Sequence, residues 1–371
     1  MEWRGFAYFL LWYLSIISGF LTICCPTIPM MFVCPCTFRF VIGIIFSVWE
    51  MYPTILMRIL FNTRFVMTGD HINPLDGALL LMNHRNRLDW NFLWGGIFYG
   101  AKPQAHKLKM VLKSALRHIP FAGWVMQLSG FLYIQRRWDH DQSSMEKQLK
   151  YFSDVKDVNQ ILLFPEGTDL SLSNIEKSNK YAEKHNLLNY KYVLHPKTTG
   201  FVFLVDTMRK NKQLRAVYDL TIGYPDLLPQ NEIDALCGVF PKNVHFHIER
   251  YDESELPTTE DDLKLWLIDI WKRKEKRLAN FTATSSFLSS PQVSLDKIVI
   301  DEPIHNALYL ALIFWTLVQC MFIYCIVTSL LFQCWCLLCC IVFFGFSFVE
   351  DGFQMFEVKL YNHLRNYKKQ T

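Results

Sequence analysis

The sequence predicts an α/β domain, with a central sheet covered by helices, that is held between N-terminal and C-terminal membrane helices. Two observations support this fold class. The 371 residues are 51% hydrophobic and include 30 phenylalanines, a composition too apolar for an ordinary soluble domain. In the middle of the chain, short apolar runs alternate with segments of helical pattern, which favours a sheet covered by helices.

The C-terminal part contains a long uncharged stretch. No charged residue occurs from Asn306 to Val349, whereas one membrane crossing needs only about 20 residues. We therefore expect two crossings joined by a turn near Thr328 and Ser329, so that residues 304–349 form a membrane hairpin.

The N-terminal residues 1–50 are also apolar. Nothing is charged between Arg4 and Arg39, and Phe6 to Cys25 makes one good span. This helix is expected to break at the prolines that follow, since proline cannot continue a helical hydrogen-bond pattern: Pro26, Pro29 and Pro35. A cleaved signal peptide is disfavoured because the start is weakly basic and no small-residue cleavage site follows.

The second N-terminal stretch, Phe40 to Trp49, is short. Arg39 at its edge would cost about 2.5–3.5 kcal/mol at the centre of a bilayer. We therefore interpret this stretch as a re-entrant or interfacial return rather than a second span.

Charge and cysteine usage predict the side of the membrane. The tail, residues 350–371, ends in a stretch from Val358 that carries four basic residues and no acidic one, which favours the cytosol. A hairpin over 304–349 would place the central domain on the same side, where the sequon at Asn280 should stay unmodified.

Ten of the 11 cysteines lie in apolar stretches and only Cys237 lies mid-chain. This is no disulfide framework and indicates a reducing compartment.

The net charge of +4 is modest. It suits contact with anionic lipid head groups, and the chain lacks the arginine-rich stripe that nucleic-acid binding needs.

Residues 51–281 are expected to form the α/β domain. Three apolar runs predict strands over 77–82, 160–164 and 216–224. Residues 258–281 predict a helix capped by Thr259 and Asp262, whose basic run Lys272–Arg277 is interpreted as a solvated end. Residues 282–303, rich in Ser and Thr at their start, are expected to link this domain to the hairpin.

His84 and Asp89 are the first candidate catalytic pair. On an uninterrupted helix two residues five apart are separated by about 140° and cannot meet. Here, however, Leu79–Met82 predicts a strand, Asn83–Arg87 a connection, and Leu88–Phe98 a helix. Asp89 can then orient the imidazole and leave its other ring nitrogen free to accept a proton.

The same spacing occurs twice elsewhere. His71 and Asp76 enclose Pro74, so a turn is favoured there. The second pair begins at His247, which alternates with His245 and Glu249 on one strand face. Those three side chains could ligate a metal, but a solvent-facing strand surface is the favoured interpretation.

Two further strand ends carry candidate binding residues. The run LLFPEGTDL ends a predicted strand in Glu166, Gly167 and Thr168, which could contact a ligand or form an ordinary type II turn. In GFLYIQRRW, Arg136 follows an apolar run. An arginine at a strand end can grip a phosphate, although a simple surface charge explains it equally.

These motifs together resemble those of the glycerophospholipid acyltransferases. The resemblance rests on N-H-x4-D, a later I-x-R and F-P-E-G-T, in this order and flanked by membrane segments. Longer stretches are similar to the branch that acylates lysocardiolipin, lysophosphatidylinositol and lysophosphatidate: MNHRNRLDWNFLW, FPEGTDLS, YVLHPKTTGF and PMMFVCP. The resemblance covers nearly the whole chain, more loosely at the C-terminal membrane region.

The resemblance implies the glycerolipid acyltransferase fold and a role for each matching residue. His84 matches the general base and Asp89 the carboxylate that orients it. Asp219 stands where many relatives carry a proline in the last hydrophobic block, which leaves the role of that block in acyl-CoA binding open. Arg136 matches the residue that holds the acceptor's phosphate. The acceptor-binding block is matched by Glu166, Gly167 and Thr168. Lys197 and Gly200 match a further basic-x-x-Gly element.

The activity implied is transfer of an acyl chain from acyl-CoA to a free hydroxyl of a lysophospholipid, without an acyl-enzyme and without a metal or redox cofactor. The implied location is the endoplasmic reticulum membrane, with the catalytic domain facing the cytosol.

Other interpretations are a thiol mechanism through Cys237, a non-catalytic lysolipid-binding scaffold, and ester hydrolysis. Hydrolysis is disfavoured because the G-x-S-x-G motif of a serine nucleophile is absent. Head group, chain length and sn-position depend on cavity shape and stay open.

Overall fold

The structure is a computed structural model that describes residues 3–101, 108–226, 228–288, 298–300, 304–349 and 351–370. Eight strands in these ranges form one mixed sheet, in the order β4-β3-β5-β2-β6-β7-β1-β8. They are β1 (Arg64–Gly69), β2 (Ala78–Met82), β3 (Leu108–Lys113), β4 (Leu132–Ile134), β5 (Gln160–Leu163), β6 (Ala216–Gly223), β7 (Asn243–Asp252) and β8 (Ile298–Ile300).

Helices cover both faces of the sheet and extend beyond it at both termini. In chain order they are α1 (Trp3–Val33), α2 (Pro35–Phe61), α3 (Asp89–Gly100), α4 (Ala122–Leu128), α5 (Trp138–Asp154), α6 (Leu172–Lys184), α7 (Thr198–Lys210), α8 (Glu232–Leu236), α9 (Glu260–Thr284), α10 (Asn306–Thr328), α11 (Leu330–Phe346) and α12 (Gly352–Gln370).

The sheet topology brings several strand ends to one edge. Strands β4, β3, β5, β2 and β6 run parallel, so their carboxyl ends share an edge. Strand β7 is antiparallel to β6 and parallel to β1, so β1 begins at that same edge. Every residue of β2 and β6 is buried, as expected for central strands with both faces covered. The α/β fold class and the three predicted strands are confirmed.

The core divides between the two faces of this sheet. Leu80 and Met82 of β2 pack on the face covered by α1, α2, α3 and α10, whereas Leu79 and Leu81 pack under α5, α7 and α9. The predicted cap of α9 is confirmed, because the Thr259 hydroxyl accepts a hydrogen bond from the Asp262 amide at 3.2 Å. The predicted turn near Ser329 is confirmed as well, since this residue ends α10 and caps α11.

The expected breaks at Pro26 and Pro29 are wrong. Helix α1 continues through a π-helical turn, Phe20–Cys24, to Val33. Pro29 begins a short helical segment and Pro26 is the second residue of another, positions where the missing N–H is tolerated. The helix ends only at Cys34, whose ψ of 89° is extended and which precedes Pro35.

The short return expected over Phe40–Trp49 is also wrong. These residues lie inside α2, which has 27 residues and passes through the boundary expected after residue 50. Helices α1, α2 and α10 are each long and apolar enough to cross a membrane, whereas α11 has 17 residues. The buried Arg39 is tolerated in α2 because it pairs with Glu357 and donates to the Leu128 carbonyl at 2.9 Å.

The connection expected over residues 282–303 contains ordered elements. Helix α9 extends into it as far as Thr284, and Ile298–Ile300 forms the edge strand β8 beside β1. The rest of this connection, 289–297 and 301–303, lies outside the described residues. The tail after residue 350 forms α12 over Gly352–Gln370 and returns to pack against α4 and α5.

Helix α12 should depend on its buried ion pair. We expect Glu357→Ala to lower the free energy of unfolding by about 3–5 kcal/mol, because it leaves Arg39 charged, buried and without this partner. The matched control is Lys359→Ala, which removes an ion pair to Asp351 whose lysine is 64% exposed and should cost no more than about 1 kcal/mol. Unfolding of the detergent-solubilised protein measures both. Equal losses would contradict a buried pair at Arg39.

Candidate active site

His84 and Asp89 meet in the connection between β2 and α3. The imidazole Nδ1 lies 3.0 Å from Asp89 Oδ2. Strand β2 ends at Met82 and α3 begins at Asp89, so the chain changes conformation between the two side chains. The predicted contact is confirmed, and the change from strand to helix is what lets the two side chains reach each other.

The Asp89 carboxylate is fully buried and accepts two further hydrogen bonds. The Asn86 backbone N–H donates to Oδ2 at 2.8 Å, and the Tyr224 hydroxyl donates to Oδ1 at 2.6 Å. A buried carboxylate needs such donors to offset its loss of hydration. Sequence reasoning assigned Tyr224 no role, although it lies at the carboxyl end of the predicted third strand.

The surroundings of His84 favour its protonated form. Burial lowers the pKa of His84, but the hydrogen bond to Asp89 and the charges of Asp89, Glu166 and Asp169 outweigh burial, so the pKa lies above its ordinary value. The side chain is 20% exposed. Its Nε2 has no hydrogen-bond partner in the described part of the chain, so this nitrogen can accept a proton from a substrate.

Glu166 is buried behind His84 and joins three parts of the domain. One carboxylate oxygen accepts from the His84 backbone N–H at 3.3 Å and from the Trp271 indole at 3.4 Å. The other accepts from the Leu194 amide at 3.1 Å. Burial raises the pKa of Glu166 to about 8, against the lowering effect of hydrogen bonds from Leu194 and His84. This carboxyl group therefore braces the site from behind.

Gly167 and Lys197 form the exposed side of the same edge. Gly167 has a φ of +72°, which side-chain-bearing residues rarely adopt. A Cβ placed there would lie 3.2 Å from the Lys197 ammonium nitrogen. The Lys197 amide donates to the Pro165 carbonyl at 2.8 Å, which fixes the lysine beside the glycine turn.

Thr168 is tied to the same loop. Its hydroxyl accepts from the Asn174 side chain at 3.1 Å, and the nearby Leu170 amide donates to the His84 carbonyl at 2.9 Å. The structure therefore brings the Glu166–Thr168 segment together with His84, as expected of two neighbouring parallel strands.

Arg136 lies further along this edge. It is exposed, follows β4 and has a φ of +65°. Strands β3 and β5 separate β4 from β2, which corresponds to roughly 14 Å across the sheet. Arg136 therefore lies at the same edge as the His84 loop but three strands away from it.

The second His-x4-Asp spacing forms a turn, as predicted. His71 is exposed, and the Asp76 amide donates to the Asn73 carbonyl at 3.1 Å. The Asp76 carboxylate accepts from the Tyr218 hydroxyl at 2.8 Å and from Arg250. This carboxylate is occupied by structural partners far from the site edge.

The third spacing lies on β7. Its His247 is partly buried rather than solvent-facing, and hydrogen-bonds the Thr68 hydroxyl at 3.0 Å and Glu249 at 3.4 Å. The expected exposed strand surface is therefore wrong, because α9 and Phe287 cover it. Within the described ranges, no group of three or more His, Cys, Asp and Glu side chains is arranged to hold a metal ion.

Asp219 belongs to a buried ion cluster on the α9 face of β6. Its carboxylate lies 2.5 Å from the Lys274 ammonium group and 3.0 Å from the Arg277 guanidinium. Lys274 is fully buried, and this burial lowers its pKa. The expected solvated end of α9 is therefore wrong for Lys274 and Arg277, because β6 and β7 supply carboxylates that face them.

Comparisons with known proteins agree with this geometry. Residues 64–224 match the family model described as Acyltransferase, and residues 234–315 match the one described as Acyltransferase C-terminus. The chain is 40% identical over 281 residues to lysocardiolipin acyltransferase 1 of Gallus gallus, covering 76% of this chain and 74% of that protein. The chain belongs to the glycerophospholipid acyltransferase family. It is an acyltransferase.

Other relatives of this acyltransferase include lysocardiolipin acyltransferase 1 of Mus musculus, at 37% identity over 87% of each chain. Lysophosphatidylinositol acyltransferase 10 of Caenorhabditis elegans is 38% identical over 63% of this chain and 60% of that protein. The crystal structure of the 1-acyl-sn-glycerophosphate acyltransferase from Thermotoga maritima aligns with 76% of this chain and 98% of that chain, at a TM-score of 0.47 and 16% identity.

The turn at Gly167 should require glycine. We expect Gly167→Ala to lower the free energy of unfolding by about 1–2 kcal/mol, because alanine is strained at a φ of +72° and crowds Lys197. The control is Gly200→Ala in α7, where a Cβ meets nothing within 4 Å and should stabilise the helix by up to about 1 kcal/mol. Chemical denaturation of both variants measures the difference. Stabilisation by alanine at 167 would contradict the assigned turn.

Proposed function

We propose that this protein is a membrane-bound acyl-CoA:lysophospholipid O-acyltransferase in which His84 is the general base. The observation that carries the proposal is the pairing of His84 Nδ1 with the buried Asp89, while 20% of the His84 side chain stays exposed. The relatives named for lysocardiolipin and lysophosphatidylinositol support a lysophospholipid acceptor.

The proposed reaction is a direct transfer. His84 Nε2 takes the proton of a free glycerol hydroxyl, and the resulting alkoxide attacks the thioester carbonyl of acyl-CoA. The carbon–sulfur bond then breaks, the CoA thiolate leaves, and the imidazolium returns its proton to the thiolate or to water. A general base contributes about 10²–10⁴-fold, so orientation of the two substrates must supply the remaining acceleration.

Asp89 has two tasks in this mechanism. Its hydrogen bond to Nδ1 fixes the tautomer in which Nε2 lacks a proton, and its charge stabilises the imidazolium that forms during the reaction. Because Asp89 is buried and accepts two other hydrogen bonds, the imidazole is held in one orientation before substrate arrives.

The acceptor phosphate is assigned to the exposed cations of the same edge. Lys197 lies beside the Gly167 turn, and Arg136 follows β4 at the same edge. Thr168, directly after Gly167, offers a hydroxyl in the same loop. The buried Glu166 acts in this proposal by bracing these segments, since its carboxylate joins the His84 and Leu194 backbones.

The connections to the apolar helices support a membrane-bound enzyme. Helix α2 ends at Phe61, shortly before β1 begins at the edge where β2 and β6 end. Strand β8 is antiparallel to β1, so it ends near this edge before α10 begins. Both apolar helices therefore join the domain at the edge where β2 ends, with β6 and β7 between β2 and β1. In the proposed reaction an acyl chain stays in lipid on the side of these helices while its thioester reaches the base.

A cytosol-facing site in the endoplasmic reticulum membrane is part of the proposal. Its support is the basic C-terminal stretch and the eleven cysteines, all of which are free thiols.

His84→Ala should abolish acyl transfer. Purified protein would be given labelled acyl-CoA and a panel of lysophospholipids, and the regiochemistry of each product determined. The matched control is His71→Ala, which changes an exposed histidine of the same His-x4-Asp spacing and should retain wild-type turnover. Normal turnover by His84→Ala would remove this residue from the mechanism, and lysolipid binding without turnover by the wild type would identify a scaffold.

The pH dependence of turnover should report the pKa of His84. Only the neutral imidazole can act as a base, and its pKa lies above the ordinary value. We therefore expect kcat to rise with pH through this raised pKa and then level off. Asp89→Asn removes the largest upward contribution, so the acidic limb should move to lower pH while the plateau falls. An unmoved limb in steady-state profiles would contradict the pairing.

A further inference from the structure

Tyr224 reaches the catalytic pair from a third strand. It directly follows β6, and its hydroxyl donates to Asp89 Oδ1 at 2.6 Å. The other carboxylate oxygen receives His84 Nδ1 and the Asn86 amide. The Tyr224 hydroxyl therefore holds the carboxylate oxygen that the His84 imidazole and the Asn86 amide do not contact.

The tyrosine is suited to act as a permanent donor. Burial and the neighbouring Asp89 raise the pKa of Tyr224 well above its ordinary value, so the hydroxyl keeps its proton. Its ring packs edge-on against Phe92 of α3 at 5.6 Å between centroids. The hydroxyl is therefore held in place by packing as well as by its hydrogen bond.

We propose that Tyr224 is a positioning residue that holds the Asp89 carboxylate and, through it, orients the imidazole of His84. This inference rests on the proposed role of His84 as general base. Tyr224 itself contacts the carboxylate rather than a substrate. It extends the His–Asp pair to a chain of three side chains contributed by β6, α3 and the β2 exit.

The tyrosine should also set the proton affinity of His84. A hydroxyl donated to Oδ1 withdraws negative charge from the carboxylate, which then binds the imidazolium less strongly. Without the hydroxyl, the carboxylate keeps this charge and binds the imidazolium more strongly, so the pKa of His84 rises. The other charged groups near this chain are Glu166 and Asp169 beside His84 and Arg85 beside Tyr224, and none of them is altered by the substitution.

The same strand provides a matched control. Tyr218 lies on the same face of β6 and is buried, and its hydroxyl donates to the buried Asp76 at 2.8 Å. Six residues of strand separate the two tyrosines, which corresponds to roughly 20 Å. Tyr218→Phe therefore removes a comparable hydroxyl–carboxylate bond without touching the site.

The experiment compares Tyr224→Phe with Tyr218→Phe in the full-length protein. We expect Tyr224→Phe to lower kcat on the order of tenfold and to move the acidic limb of the kcat profile upward by roughly half a pH unit or more. KM for both substrates should change less than about twofold, because no substrate contact is lost. Tyr218→Phe should leave kcat and the limb at their wild-type values.

A second measurement reads His84 without turnover. Diethyl pyrocarbonate modifies neutral imidazole, so the pH dependence of His84 modification, followed by mass spectrometry, gives its proton affinity directly. We expect the midpoint to move upward in Tyr224→Phe and to stay unchanged in Tyr218→Phe. An unmoved midpoint, or equal effects of the two substitutions, would overturn the inference.

The two measurements separate the inference from the proposed function. A wild type that transfers no acyl group while the modification midpoint moves would reject the acyltransfer proposal and retain the coupling of Tyr224 to His84. Normal transfer with an unmoved midpoint would reject only the role of Tyr224.

Discussion

The site depends on one buried carboxylate. Asp89 begins α3 with no exposed surface, and such a charge is tolerated in a protein interior only when donors replace its hydration. The donors are the Asn86 amide, the His84 imidazole and the Tyr224 hydroxyl. Satisfying this carboxylate therefore fixes the connection after β2, the start of α3 and the residue after β6 in a single arrangement, and leaves Nε2 as the free end of that arrangement.

A second layer of carboxylates holds this arrangement from behind. Glu166 accepts from the backbone of His84 and of Leu194, and Glu275 of α9 accepts from three successive amides at 2.8–3.0 Å, those of residues 191–193. These carboxylates accept hydrogen bonds from backbone amides in two connections that have no regular hydrogen-bond ladder, the one after β2 and the one between α6 and α7. The segment that carries Lys197 is consequently fixed relative to His84, although neither side chain contacts the other.

Local patterns predicted what depends on local sequence. The buried strands, the cap at Thr259, the turn at Ser329 and the meeting of His84 with Asp89 follow from apolar runs and from the conformations that short connections allow. Side-chain pairs whose members lie far apart in the sequence were not predicted. Tyr224 is 135 residues from Asp89 and Arg39 is 318 from Glu357, and no local pattern indicates either pairing. The solvated end expected for α9 was wrong for the same reason, because Asp219 reaches Lys274 only after the sheet has formed.

The two faces of the sheet are covered by different kinds of helix. One face packs against the apolar helices α1, α2 and α10, and the other is covered by α5, α7 and α9, with the buried ions of Asp219 beneath α9. The edge between these faces is where the chain enters from α2 and leaves toward α10. In the proposed reaction the lysophospholipid lies across this boundary, with its apolar chain toward the apolar helices and its charged head group toward the exposed cations. The position of His84 at this edge is thus a consequence of strand order, because β2 is central and its carboxyl end has neighbours on both sides.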